Sequence, residues 1–197
     1  MSEHRIDETC RYEEDFTIRN FNKTMDGKVV IVTGASYGMG KKMAQLMAEQ
    51  GAKVFVTARG KETLDEAIAD IKEKTGGDIT GITADSSRPE ECKKVFEKAL
   101  EAYGDIDVLI NNAGFETHSA IENAEEESMD AIYNVNTKSP YFLLQKLLPA
   151  LKKAGRASVI NVTSIHQKVP VRENGYYCMA KASLGMFTKV AALELAK

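Results

Sequence analysis

Residues 28–40 read KVVIVTGASYGMG, and this stretch decides the fold of the chain. The β-branched run that ends at Thr33 is short and apolar on both faces, which predicts a buried strand. Gly34, Gly38 and Gly40 follow at once and predict a tight turn into a helix. Glycines in such a turn let backbone N–H groups approach a pyrophosphate, which the positive end of the helix stabilises. The stretch therefore favours a dinucleotide ligand, and a glycine turn that binds nothing is the alternative.

After this turn the chain alternates short apolar runs with longer segments of helical period. The alternation is typical of a parallel sheet with crossover helices, so we expect a Rossmann-type, doubly wound α/β fold of three layers. Right-handed crossovers and a reversal after the third strand predict the order 3-2-1-4-5, with a ligand crevice at the ends of strands one and four. We expect one domain over 27–197 and a flexible extension over 1–26. The predicted strands are 28–33, 52–58, 79–84, 108–112 and 157–162, and the predicted helices are 39–50, 61–74, 88–103, 125–153 with an interruption near Pro140, and 176–197.

The composition argues against several classes of protein. The chain has 26 basic and 29 acidic residues and a formal net charge of −3, without a basic block that could neutralise a nucleic-acid backbone. No apolar run approaches the ~18 residues of a membrane span. The 3 cysteines and 3 histidines are scattered and form neither a disulfide framework nor a zinc pattern. The N-terminal segment lacks the apolar core of a secretory signal. We therefore expect a soluble, cytoplasmic protein without a nucleic-acid, membrane or metal partner.

Near the end of the chain, three residues predict an acid/base site. Tyr177 and Lys181 are four positions apart and share one face of a helix, and Ser164 precedes Tyr177 by thirteen positions. A free tyrosine has a pKa of about 10, and a positive charge about 4 Å away is worth roughly 4 kcal/mol at an effective dielectric near 20. Such a charge would bring the phenol closer to neutral pH, where proton transfer is efficient. A half-buried tyrosine beside a solvated lysine is the alternative.

A third motif follows the fourth predicted strand and consists of Asn111, Asn112, Ala113 and Gly114. At the end of that strand it would face the glycine turn across the crevice. Its small residues leave room for a ribose and a nicotinamide. A plain Asn/Gly turn is the alternative.

Together, the TGxxxGxG, NNAG, serine and YxxxK motifs, in this order and spacing, resemble the short-chain dehydrogenase/reductase family, single-domain type. The resemblance covers 25–197. It implies an NAD(P)-dependent oxidoreductase that interconverts a secondary alcohol and a carbonyl of a small molecule by hydride transfer. It also implies a homodimer or a homotetramer.

The resemblance assigns a role to each site residue. Tyr177 would be the acid/base, Lys181 would hold the nicotinamide ribose and lower the tyrosine pKa, and Ser164 would hydrogen-bond the substrate oxygen. Asn136 matches an asparagine that holds a water for a proton relay. It is preferred to Asn134 because it directly precedes the next helix. The implied cofactor contacts are Gly34, Ser36, Tyr37, Gly38, Met39, Gly40, Arg59, Asp85, Ser86, Asn111, Asn112, Ala113, Gly114, Tyr177 and Lys181.

The choice of cofactor depends on the end of the second strand. NAD-binding members place an acidic residue there, whereas an arginine nearby accommodates the 2′-phosphate of NADP. This chain has Ala58 at the acidic position and Arg59 next to it. The pattern favours NADP, with NAD possible and a solvated arginine as the alternative. Asp85 and Ser86 resemble the residues that contact the adenine.

The substrate is less well defined by the sequence. The stretch that follows Ser164 looks like that of glucose 1-dehydrogenases, so His166 and Gln167 could line the entrance of a sugar or polyol pocket. A surface loop is the favoured alternative, and a 3-oxoacyl thioester or a steroid is a further substrate. Family members continue beyond the last predicted helix, so we expect a chain that lacks its C-terminal part. A catalytically weak cofactor-binding or dimerising fragment is the second hypothesis.

We expect a homodimer to form through the outer faces of the last two long helices, 137–153 and 176–197. Their apolar content exceeds the single stripe that packing on the sheet requires. The residues that suggest this surface are Leu143, Leu144, Leu147, Leu148, Leu151, Leu184, Met186, Phe187 and Val190.

Overall fold

The computed structural model describes residues 23–88 and 90–196, which contain a five-stranded parallel sheet with helices on both faces. The strand order is β3-β2-β1-β4-β5, which confirms the predicted order. The strands are β1 (Val29–Thr33), β2 (Lys53–Ala58), β3 (Ile79–Thr83), β4 (Val108–Asn111) and β5 (Ser158–Asn161). The helices are α1 (Gly38–Glu49), α2 (Lys61–Thr75), α3 (Glu91–Tyr103), α4 (Glu126–Tyr133), α5 (Ser139–Lys153) and α6 (Gly175–Leu195).

The central strand β1 is buried on both faces, as its unbroken apolar run predicts. Val30 and Val32 belong to the core under α1 and α2. Val29 and Ile31 point the other way, into the core under α3 and α5. Alternate side chains of one strand thus serve two cores, and every position of the run must be apolar.

The beginning of the chain is only partly described. Residues 23–27 form a turn, in which Met25 N donates to Gln50 O and Gly27 N donates to Gly51 O. Met25 also packs against the core under α1 and α2. The rest of the predicted extension, 1–22, lies outside the described residues.

The strand β5 has one paired edge and one edge that is unpaired among the described residues, since its ladder partner is β4. Ile160 is 46% exposed, and Ser158 is also exposed. A groove of about 710 Å³ runs beside this strand between the second halves of α5 and α6. None of the described helices is long and apolar enough to cross a membrane.

The helical stretch predicted over 125–153 is interrupted near Pro140, as expected, and the form of the interruption is a π-helical turn over Asn134–Lys138. Proline lacks the N–H that would continue the ladder of α-helical hydrogen bonds, so a locally wider turn before it is a low-cost solution. The turn buries Val135 and Asn136, and Asn136 is 0% exposed.

Two predictions need correction. The helix α3 begins at Glu91 and not at position 88, because Arg88 precedes a proline in the sequence and that position disfavours helical backbone. The larger correction concerns the residues chosen for the outer dimer surface. Five of the nine are core residues with exposures of at most 5%, because the sheet needs that much apolar cover from α5 and α6. These five are Leu143, Leu144, Leu147, Leu151 and Leu184.

Candidate active site

A cleft of about 570 Å³ opens at the carboxyl ends of β1 and β4, where the sequence predicts the ligand crevice. It brings together twelve of the predicted cofactor contacts. Asn111, Tyr177 and Lys181 are not part of its lining. The twelve residues are Gly34, Ser36, Tyr37, Gly38, Met39, Gly40, Arg59, Asp85, Ser86, Asn112, Ala113 and Gly114.

The start of α1 forms one side of the cleft and fits an anion. No side chain caps this helix end, and its first turn contains no acidic residue. Its free N–H groups and its dipole therefore face the cleft without a competing partner among the described residues. Gly40 is required here, since a Cβ at this position would clash with Gly34 O and Asn112 Nδ2. This geometry fits the pyrophosphate of a dinucleotide.

The NNAG motif is tied to the glycine turn by a buried threonine. Thr33 Oγ1 accepts hydrogen bonds from the backbone N–H groups of Asn112 and Ala113, both at 3.0 Å. In return, Asn112 Nδ2 donates to Thr33 O and Gly34 O, also at 3.0 Å. Thr33 is 5% exposed, and the motifs of the sequence predict no role for its side chain. A single polar residue at the end of an apolar strand was the signal that could have indicated it.

Asn111 starts a chain of amide contacts behind the cleft. Its Nδ2 donates to Asn161 Oδ1 at 2.8 Å, and Asn161 Nδ2 donates to Thr188 Oγ1 at 2.9 Å. These contacts join β4, β5 and α6. Asn111 is 3% exposed, so its side chain serves the scaffold behind the site.

The far end of the cleft carries the residues that bear on the choice of cofactor. Ala58 is buried and Arg59 is exposed, and both line the cleft together with Asp85. Asp85 Oδ1 accepts hydrogen bonds from Ser87 N at 2.9 Å and from Ser87 Oγ at 2.8 Å. Burial acts to raise the pKa of Asp85, but the bonds from Ser87 and the charge of Arg59 outweigh it and keep the pKa below its ordinary value.

Lys181 is a buried cation at the other end of the cleft. It is 4% exposed, and its Nζ donates to Val162 O at 2.9 Å. Burial lowers the pKa of Lys181 from 10.5 to about 8, so the side chain is mostly protonated at pH 7. Its Nζ lies 5.5 Å from the centroid of the Tyr177 ring, which confirms that the two residues share a helix face.

Ser164 lies between β5 and α6, and His166 connects its loop to Tyr177. Ser164 caps the short helical turn Ile165–Gln167, and its Oγ accepts a hydrogen bond from His166 N at 3.2 Å. Because this bond occupies one lone pair of Ser164 Oγ, the hydroxyl proton is free to point outward as a donor. The ring of His166 lies edge-on to the ring of Tyr177, with 6.4 Å between centroids. The loop that Ser164 caps therefore packs, through His166, against the tyrosine.

Asn136 and Lys181 converge on Gly114, one of the residues that line the cleft. A Cβ on Gly114 would lie 2.6 Å from Asn136 Oδ1 and 3.3 Å from Lys181 Nζ, so only glycine leaves this space open. Asn136 Nδ2 donates to Phe115 O and Ile132 O, whereas its Oδ1 is buried without a partner among the described residues. Asn134, the competing candidate, is only half-buried. The geometry therefore brings Asn136 to the site.

The arrangement is that of a dinucleotide-binding Rossmann domain with a neighbouring tyrosine and lysine close to Gly114 of its cleft. The family model that describes the short chain dehydrogenases matches residues 28–197. The chain belongs to this family of oxidoreductases, which act on CH–OH groups. The described residues contain no cluster of side chains that could hold a metal ion.

Several known proteins are similar to this chain. The 7alpha-hydroxysteroid dehydrogenase of Clostridium sardiniense is 33% identical, over 89% of this chain and 68% of that protein. The structure of a metagenomic short-chain oxidoreductase in complex with NADP has a TM-score of 0.83 at 34% identity, over 87% of this chain and 77% of that one. The L-sorbose reductase of Gluconobacter frateurii, complexed with NADPH and L-sorbose, has a TM-score of 0.84 at 31% identity, over 87% of this chain and 65% of that one. The chain thus spans about two thirds to three quarters of the length of these relatives.

Proposed function

We propose that the protein is an NADP-dependent oxidoreductase that interconverts a secondary alcohol and a carbonyl. The observation that carries the proposal is the position of Lys181, which is buried between Gly114 in the lining of the cleft and the ring of Tyr177. Burial of a cation is costly, so its presence here indicates a function for the charge. Here it faces both the dinucleotide cleft and the candidate acid/base.

NADP would lie along the cleft, with its pyrophosphate at the uncapped start of α1. Arg59 would meet the 2′-phosphate, and Ala58 presents no carboxylate that would repel it. The NADP and NADPH complexes of two similar structures support this choice, and NAD remains the second cofactor. Asp85 and Ser86 would hold the adenine end, and Lys181 would hold the nicotinamide ribose.

The bound nicotinamide would exchange a hydride with the substrate carbon. Tyr177 would transfer the proton at the substrate oxygen, with the ammonium of Lys181 near its ring. Ser164 would donate its hydroxyl proton to the same oxygen and stabilise the charge that develops there. The bond from His166 N supports this direction, because it leaves the serine oxygen as a donor toward the substrate.

Asn136 would connect this chemistry to solvent. Its Oδ1, which has no partner among the described residues, and the ammonium of Lys181 both lie next to the space that a Cβ on Gly114 would fill. A water between these two groups would accept a hydrogen bond from the lysine and donate one to the amide oxygen. In the reduction direction, the proton that Tyr177 gives to the substrate oxygen would be replaced from Lys181, and such a water would in turn return a proton to Lys181.

For the substrate, we favour a sugar or a polyol. His166 Nδ1 lies 3.0 Å from Val169 O, and a carbonyl can only accept, so this nitrogen carries the proton. In its neutral form the ring then offers Nε2 as an acceptor for a second hydroxyl of the substrate, close to Ser164 and to the ring of Tyr177. The L-sorbose reductase supports a sugar, whereas the hydroxysteroid dehydrogenase supports a steroid, and a 3-oxoacyl thioester is a further candidate.

We also propose a homodimer or homotetramer built on α6. Four of its apolar side chains are exposed at helical spacing and form one stripe, and Tyr141 on α5 is 50% exposed beside them. Unlike the buried leucines, these residues have no role in the core. The stripe consists of Met179 (49% exposed), Met186 (59%), Val190 (42%) and Leu193 (84%).

A second candidate function is a cofactor-binding or dimerising protein with weak catalysis. The observation that favours it is the edge of β5, which is unpaired among the described residues and borders the groove of about 710 Å³. An open edge of this kind is usually covered in a stable enzyme. The second candidate predicts NADP binding without turnover.

The test measures cofactor binding and turnover separately on the same chain. Isothermal titration gives the Kd values of NADP and NAD, and nicotinamide absorbance follows turnover with sugars, polyols, steroids and 3-oxoacyl thioesters. The proposal expects tighter binding of NADP than of NAD, together with turnover of at least one carbonyl compound. Binding without turnover would favour the second candidate, and failure to bind either cofactor would refute the proposal and the cofactor-binding form of the second candidate.

A further inference from the structure

Asn174 is a buried polar residue to which the chemistry described above gives no role. It is 2% exposed and stands directly before α6, at the position that caps the helix. Asparagine is among the best residues for capping a helix through its side chain. Here its side chain makes no capping bond, and its Nδ2 instead donates to Glu116 Oε2 at 2.9 Å. The side chain therefore reaches out of its own helix to the loop that follows β4.

The backbone strengthens the same contact. Ser119 N donates to Glu173 O at 2.6 Å, and Ser119 and Asn174 form an isolated parallel bridge. Glu173 has a φ of +61°, a left-handed conformation that is unfavourable for a residue with a side chain. Such a conformation persists where the surroundings enforce it. The loop over 114–119 and the segment before α6 are thus held together by one side-chain bond and one backbone bridge.

The other end of this loop reaches the catalytic residues. Gly114 and Phe115 line the cleft, and Phe115 O accepts a hydrogen bond from Asn136 Nδ2 at 2.9 Å. Asn174 lies three positions before Tyr177 in the sequence. The loop therefore extends from Gly114 and Phe115, here called the cleft floor, to the start of α6, the helix that carries Tyr177.

We propose that Glu116 and Asn174 are a positioning pair, which fixes the loop over 114–119 against the start of α6 and so sets the gap between the cleft floor and Tyr177. The inference rests on the proposed function, because the gap matters only when it holds the nicotinamide half of a dinucleotide. Neither residue touches the reacting atoms in this account. Both act through the backbone that carries Gly114 and Tyr177.

The test reverses the polarity of the pair. Asn174→Asp places two carboxylates against each other and breaks the contact, and Glu116→Ala removes the acceptor from a half-exposed position where the fold tolerates the change. The double variant Glu116→Gln with Asn174→Asp restores a bond in the opposite direction, from the glutamine amide to the aspartate. His118→Asn is the control, because Glu116 Oε1 also lies 3.9 Å from His118 Nε2.

Each variant is measured by affinity for two ligands and by hydrogen exchange. NADPH contains the nicotinamide half of the dinucleotide. Adenosine 2′,5′-bisphosphate contains only the adenosine half with its 2′-phosphate. We expect Asn174→Asp and Glu116→Ala to lower the affinity for NADPH about tenfold and to leave the affinity for the bisphosphate unchanged. The double variant should recover most of the NADPH affinity, and His118→Asn should behave like the wild type.

Amide exchange at 115–119 and 175–179 should rise in both single variants and fall again in the double variant. Unchanged NADPH affinity in both single variants, an equal loss for both ligands, or no recovery in the double variant would overturn the inference. If the wild type binds neither ligand, the proposed function fails by itself. The exchange data then still decide whether the pair links the two segments, and unchanged exchange would overturn the link.

Discussion

Replacement of Lys181 by methionine should make the protein more stable although it removes a residue of the candidate active site. The side chain is 4% exposed, and burial lowers its pKa from 10.5 to about 8. The fold therefore disfavours the ammonium relative to the unfolded chain. Methionine has a similar length and carries no charge that must be desolvated.

The magnitude follows from the pKa and from one hydrogen bond. A decrease in pKa from 10.5 to about 8 corresponds to about 3 kcal/mol of destabilisation at pH 7. The variant also loses the bond from Lys181 Nζ to Val162 O, which is worth about 1 kcal/mol. The net expectation is a gain of about 2 kcal/mol in the free energy of unfolding. For a chain of this size that gain corresponds to an increase in Tm of about 4–8 °C.

The pH dependence distinguishes this cause from better packing. Between pH 8 and 10.5 the unfolded chain binds more protons than the folded chain at this site, so wild-type stability rises with pH in that window. The advantage of Lys181→Met should be complete below pH 8 and should shrink toward pH 10.5. Urea unfolding of both proteins at pH 7 and pH 10 measures it. A variant that is less stable at pH 7, or equally stabilised at both pH values, would refute the reasoning.

Three further predictions concern the cofactor, the relay and the dimer. Arg59→Ala should raise the Kd of NADP about tenfold and leave the Kd of NAD unchanged in isothermal titration, because only NADP has the 2′-phosphate. An equal loss of affinity for both cofactors would show that Arg59 does not contact the 2′-phosphate. Asn136→Ala should lower kcat by on the order of tenfold to a hundredfold, since it removes the amide oxygen beside Lys181, and unchanged kcat in stopped-flow assays would rule out the relay. Met186→Glu combined with Val190→Glu should convert the oligomer into a monomer, as measured by light scattering. Lys189→Glu, at an exposed position of the same helix, should not. A wild-type protein that is already a monomer would contradict the proposed α6 surface.

The strand order and the location of the cleft were predictable because both depend on local patterns. The apolar run before Gly34 identifies a strand buried on both faces, and the topology then places the ends of β1 and β4 side by side. The pairing of Tyr177 with Lys181 was predictable for the same reason, since helical spacing alone brings them together.

Contacts between segments that are distant in the sequence were not predictable. The bond between Glu116 and Asn174 joins residues 58 positions apart, and no periodicity marks either of them. The leucines of α5 show the converse difficulty. A helix that covers a wide sheet buries more than one stripe of apolar side chains. Additional apolar residues such as Leu144 and Leu151 therefore belong to the core and do not indicate an outer surface.

The most direct test of the central claim compares turnover in the wild type and in Tyr177→Phe. The substitution removes only the phenol hydroxyl, so the Kd of NADP should stay within about twofold, while turnover of the best carbonyl substrate should fall by on the order of a hundredfold or more. Tyr141→Phe is the matched control, because its ring is half exposed on α5 and its hydroxyl has no hydrogen bond among the described residues. The account predicts unchanged turnover in the control and near-complete loss in Tyr177→Phe. Undiminished turnover in Tyr177→Phe would contradict it.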